Sequence, residues 1–235
     1  LGVQIFPGYI KPYILAIKVF IRHNQIDDAR SVIDEAKKQG LDSNELTLAS
    51  IKIKRIMSET RQEIYEAIEE CEALKHNLHS KENDIEDPIS VDYEMLLLRV
   101  RVDEYGKALV IINSIIEERP KEEFYLFVKG RILRDYERYK EAIRFFNNLL
   151  DGNPRDERIY YEIGLCYSNQ GESQLALDNF LKVVEINPNY SDVNYRIADI
   201  YLDSLKKSQN LEFYNKALPF ADRQLNISES DSYYV

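Results

Sequence analysis

Apolar residues recur along this chain at helical rather than strand spacing. Between residues 157 and 190, Tyr160, Ile163, Gly164 and Tyr167 fall at i, i+3, i+4 and i+7, one stripe of a helix. A polar turn runs from Asn169 to Gly171. Leu175, Ala176, Leu177, Phe180, Val183 and Val184 then form a second amphipathic stripe. Asn187 and Pro188 end it, because proline has no N–H with which to continue the hydrogen-bond ladder. The unit reads as helix, short turn, helix, and a hairpin of that size cannot bury its apolar faces alone. Strand-like alternation is missing throughout, and only 8 Gly and 7 Pro punctuate the sequence, so the pattern predicts an all-α fold.

The pattern repeats. Ala108, Ala142 and Ala176 are 34 residues apart, as are Pro120, Pro154 and Pro188, the pair Gly130 and Gly164, and the pair Phe146 and Phe180. Small residues at these places mark close approach of two helices, and enlarging Gly164 or Ala176 is expected to overpack that contact. Tyr167 and Phe180 are expected to fill the gap between hairpins. Elsewhere the spacing loosens: 38 from Ala29 to Ala67, 41 from Ala67 to Ala108, and 41 from Ala176 to Ala217. The last interval exceeds the period by 41 − 34 = 7 residues, which points to a lengthened final hairpin near 204–211. A large residue stands three before the alanine at Ile26, Ile64, Tyr105, Tyr139 and Tyr214, with Ser173 the exception. The expected organisation is one continuous solenoid, with irregular hairpins over 1–88 and a regular array over 89–235, clearest at 123–190. Residues 81–88 read as a polar loop. The sequence opens without Met and stops at what reads as the start of another helix, so a piece of a longer protein is expected.

Tyr160-x-x-Ile163-Gly164-x-x-Tyr167, followed by Gly171, Ala176, Phe180 and Pro188, resembles the tetratricopeptide repeat. The preceding unit keeps Gly130, Ala142, Phe146 and Pro154 but has Leu126 and Leu133 where the family prefers aromatics, and the one before has Leu96 in place of the glycine. The resemblance implies about six antiparallel helix pairs in a right-handed superhelix, whose first helices line a concave groove that binds a protein or peptide. Chaperone-binding members clamp a terminal carboxylate with a set of Lys and Asn residues. Tyr, Leu, Glu and Val occupy those places here, so that ligand is not expected.

Composition narrows the function. The 235 residues carry a formal charge of −10, against a phosphate-neutralising surface, so nucleic acid is not an expected partner. No apolar run approaches the roughly 18 residues of a membrane span. Phosphate-cradling glycine loops and nucleophile elbows are missing, so neither an enzyme nor a cofactor site is expected. The two cysteines, Cys71 and Cys166, make no disulfide framework and fit a reducing, cytoplasmic setting. Cys166, on the packed stripe, reads as a small buried residue. His76 and His79 could share a helix side, but Cys71 lies about 140° round from His76, so no metal site is expected.

Projecting the first helices gives one row, Tyr93, Phe127, Tyr161 and Tyr195, each 34 residues from the next. Arg131 and Arg134 lie beside it, with Arg101 and Arg158 nearby and Asp192, Asp199 and Asp203 toward the end. Aromatics give contact area at little entropy cost, and arginine matches carboxylates in a bidentate way. This row, with Arg131 and Arg134, is the candidate partner-binding surface, expected to be exposed and to suit an acidic protein or peptide. Two roles fit: a scaffold or adaptor, or the accessory array of a larger enzyme or regulator such as a bacterial glycosyltransferase or signalling protein.

Overall fold

The computed structural model describes residues 8–78 and 84–232, with side chains to residue 227. Among the described residues there are twelve helices and no strand: α1 (Ile10–Arg22), α2 (Ile26–Lys38), α3 (Asn44–Met57), α4 (Arg61–Asn77), α5 (Ile89–Arg101), α6 (Tyr105–Glu118), α7 (Glu123–Asp135), α8 (Tyr139–Leu150), α9 (Glu157–Asn169), α10 (Ser173–Ile186), α11 (Val193–Ser208) and α12 (Glu212–Ser232). They pair in chain order as six hairpins, the all-α arrangement that the period predicted. The residues up to Tyr125 and those from Leu126 onward form two compact units. In the first, α2 packs on α3 and α4 on α5; in the second, α8 packs on α9 and α10 on α11.

Few side chains cap these helices. Ser43 accepts from the Leu46 N–H, Asp156 accepts from the Arg158 N–H, and Thr60 with Glu63 forms a reciprocal capping box. The turn inside a hairpin needs one left-handed residue. Gly171 supplies it at φ 79°, and the equivalent Asp103 and Glu137 adopt it at φ 62° and 59° despite their side chains. The entry to a hairpin is pinned differently. Tyr160 Oη donates to the Pro154 carbonyl at 3.1 Å, and Asn194, 34 residues later, donates through Nδ2 to the Pro188 carbonyl at 2.7 Å. The final hairpin is lengthened where the spacing placed the extra residues: α11 has 16 residues against 13 in α9, and Gln209 ends it at φ 56°.

The alanines set the closest packing. Ala29, Ala67, Ala108, Ala142 and Ala176 expose nothing, and Ala217 almost nothing. Opposite them, a Cβ on Gly164 would lie 2.5 Å from the Phe180 ring, and one on Gly130 2.4 Å from the Phe146 ring. Phe180 therefore packs on the glycine of its own hairpin rather than only filling space between hairpins. One period earlier, Leu96 replaces the glycine and Ile112 replaces the phenylalanine, and both are fully buried. Volume has moved from one helix to the other, as a core of fixed size requires.

Cys71 and Cys166 are both buried. Burial in apolar surroundings pushes each thiol up to about 12, so neither is a thiolate nucleophile in the folded chain. No described helix is long and apolar enough to cross a membrane.

Two outcomes follow from this packing. Gly164→Leu alone should lower stability by about 1–3 kcal/mol through overpacking. Adding Phe180→Ile, which copies the Leu96 and Ile112 pair, should recover most of that loss. Urea titrations of the four proteins in the cycle test it, and strict additivity would refute the shared-volume account. The thiols give a pH dependence. Above the ordinary thiol pKa, unfolded cysteines release protons that the folded ones keep, so the unfolded state is favoured as pH rises. Stability should fall above pH ~9 by about 1.4 kcal/mol per pH unit per thiol. Cys71→Ala and Cys166→Ala should each flatten that slope in denaturant titrations between about pH 8 and 10.

Candidate functional site

In the second unit the first helices α7, α9 and α11 carry Phe127, Tyr161 and Tyr195 at equivalent places. Their surroundings differ. The Phe127 ring lies 5.9 Å from Phe146, and the Arg158 guanidinium sits 5.3 Å from its centroid. Tyr161 lies 5.8 Å from Phe180 and 5.3 Å from Tyr190, with the Arg196 guanidinium 5.7 Å from its centroid. Phe127 and Tyr161 are thus half-buried packing residues capped by guanidiniums, not the open ladder expected from sequence. Tyr195 alone of the three is open, at 59% exposure. In the first unit, Tyr93 is half-buried against Phe124 at 5.6 Å and Tyr125 at 5.9 Å.

The arginines are also less open than expected. Arg134 donates to Glu162 and, at 2.7 Å, to Asp135, and its side chain is only 13% exposed. Arg131 reaches the same Glu162 at 3.4 Å but stays 53% exposed. Arg158 grips the nearly buried Asp156 with two bonds, at 3.0 and 2.6 Å. Asp192 accepts from Tyr161 Oη and, at 3.0 Å, from Arg196 Nε. The expected change from a basic middle to an acidic end is therefore replaced by interleaved pairs. In the first unit, Arg101 donates to the Arg55 and Ser58 carbonyls, and Arg55 pairs with the buried Glu94 at 2.7 Å.

Burial raises the Glu162 carboxyl above the ordinary carboxylate range, while Arg134 and Arg131 pull it back. Burial also works against the Arg134 charge, but Glu162 and Asp135 outweigh it and hold its pKa above the ordinary value. The two shifts favour opposite states of one pair. The double bridge from Arg134 and Arg131 supports the charged form of both, and the raised carboxyl records what burial costs. Burial, then the bond to Asp192, raises the Tyr161 hydroxyl. These couplings tie neighbouring first helices together, which sequence reading missed. The one signal available was an acidic residue, Glu162, on an otherwise apolar stripe.

His76 lies in the last turn of α4, and His79 lies outside the described residues. Among the described residues no group of three or more His, Cys, Asp or Glu side chains could hold a metal ion.

The arginines separate by mutation. Arg134→Glu would place three carboxylates together in a largely buried spot and should cost about 3–5 kcal/mol. Arg131→Glu, at an exposed position, should cost under about 1 kcal/mol. Thermal melts followed by circular dichroism distinguish them, and equal losses would contradict the pairing described.

The tetratricopeptide repeat family model matches residues 157–190. No curated protein matches the chain. A tetratricopeptide repeat protein from Parabacteroides merdae ATCC 43184 is similar in structure, at 15% identity and a TM-score of 0.62, over 94% of this chain and 86% of that one. MamA from Desulfovibrio magneticus RS-1 is similar at 17% identity and a TM-score of 0.52, over 76% and 97% respectively. At these identities the likeness is one of fold. One matched repeat, and a fold shared over most of its length with solved repeat structures, identify the chain as a tetratricopeptide-repeat protein.

Proposed function

We propose that the chain is a binding scaffold, in which the first-helix face of the second unit receives a segment of a partner protein. The observation that carries this reading is Tyr195. It stands 59% exposed at the place where Phe127 and Tyr161 are capped and half-buried. An exposed tyrosine fixed on a helix contributes contact area at low entropic cost, and such residues are enriched among binding hot spots. Arg131 supports it as the open guanidinium of this face. A guanidinium of that kind suits a carboxylate, so a segment with an acidic side chain is the preferred ligand.

Phe127, Tyr161 and Arg134 then act as the frame. Their rings and ion pairs hold α7, α9 and α11 in place, so the anchor and the cation need little reordering on binding. Tyr93, packed in the first unit, has the same framing role there.

Selection of a random displayed peptide library on the immobilised chain supplies ligands whatever the natural partner is. Calorimetry on the enriched peptides then gives the test. Tyr195→Ala should weaken them by about 2 kcal/mol, roughly 30-fold. Arg131→Glu should weaken acidic peptides and flatten their salt dependence. Leu175→Ala, an exposed change on α10, is the control. Peptides that bind both site variants as tightly as wild type would overturn the proposal.

A further inference from the structure

Each first helix that follows a hairpin lays one apolar stripe on the second helix before it. For α11 and its entry turn that stripe is Tyr190, Val193, Ile197 and Ile200, which share a core cluster with Leu177, Val183 and Val184 of α10. Aligning the hairpin alanines relates α1 to α9 by 176 − 29 = 147 residues, and to α11 by 147 + 34 = 181. The equivalents of Tyr190, Val193, Ile197 and Ile200 are then Tyr9, Pro12, Ala16 and Val19. The aromatic and the aliphatic end of the stripe are kept, yet Tyr9 is 71% exposed and Val19 44%, with Leu15 exposed beside them.

The opposite half of the same contact is open on α12. Leu177 of α10 is 5% exposed, whereas its equivalent 41 residues later, Leu218, is 43% exposed. Tyr214, the equivalent of Ser173, and Leu211 are exposed too, and the three lie at i, i+3 and i+7 on one stripe. Repeat arrays ordinarily turn a polar face outward on their terminal units. Here both the donor stripe and the acceptor stripe of the junction between hairpins are apolar and open.

We propose that α12 of one molecule receives α1 of a second copy. The contact of α2 with α3, α4 with α5, α8 with α9 and α10 with α11 is then made once more, between copies. The two surfaces differ, so the association is heterologous, head to tail, and is not limited to a dimer. It uses neither Tyr195 nor Arg131, so it stands apart from the peptide-binding reading.

Sedimentation velocity over about 1–500 µM, the range of weak to moderate self-association, is the first measurement. The wild-type chain should sediment as a concentration-dependent mixture extending beyond dimer. Leu218→Glu blocks the acceptor and Val19→Glu the donor, both at exposed positions, so each alone should remain monomeric with unchanged helicity. Mixed together they should form a 1:1 complex and stop there, because each retains the half that the other lacks. That mixed complex should be at least about ten-fold tighter than self-association of either variant. Tyr214→Glu and Leu15→Glu form a second pair should either first variant lose helicity. A wild type that stays monomeric throughout overturns the proposal. So does a Val19→Glu variant that still dimerises, which would mean that α12 pairs with α12.

Discussion

The distance between the two helices of a hairpin governs much of this structure. At residues 130 and 164 it is short enough that a single Cβ would strike a phenylalanine ring from the partner helix. The buried alanine on the second helix keeps that approach possible in every hairpin. A fixed gap accepts a fixed volume, which is why Leu96 with Ile112 can stand where glycine with phenylalanine stands twice. It also explains why the period is strict across residues 89–190 and looser elsewhere. Lengthening a helix beyond the contact, as in α11, leaves the gap unchanged and is tolerated.

Between neighbouring first helices the link is electrostatic as well as apolar. Glu94 and Glu162 are buried carboxylates, each met by arginine from the preceding first helix, Arg55 in one case and Arg131 with Arg134 in the other. Removing one partner would strand a buried charge, so these pairs fix the register of the helices more than they add stability. On the second unit's face they leave one open aromatic and one open cation, a small feature on a rigid frame. Such a surface lets binding energy go into contacts rather than into ordering the site.

The open stripes on α1 and α12 come from the same repetition. A repeat unit carries donor and acceptor surfaces for its neighbours whether or not a neighbour follows. Where the described helices lack one, the surfaces stay apolar and exposed, as Tyr9 and Leu218 show.

The sequence by itself determined the helices, their pairing and the places of closest approach. Period and apolar stripe are local properties, and they located every buried alanine and the lengthened α11. It also located the row containing Phe127, Tyr161 and Tyr195, because equivalent positions recur at the period. What it could not determine was which of these face solvent. Burial at the row depends on Arg158 and Arg196 reaching across from the next first helix to cover Phe127 and Tyr161. Arg134 looked like an open cation until Glu162, 28 residues away, was brought against it. Charge pairing between helices depends on side-chain reach across a packed interface, and periodicity within one helix carries no record of it. Only the tertiary structure therefore separated the frame residues from Tyr195 and Arg131.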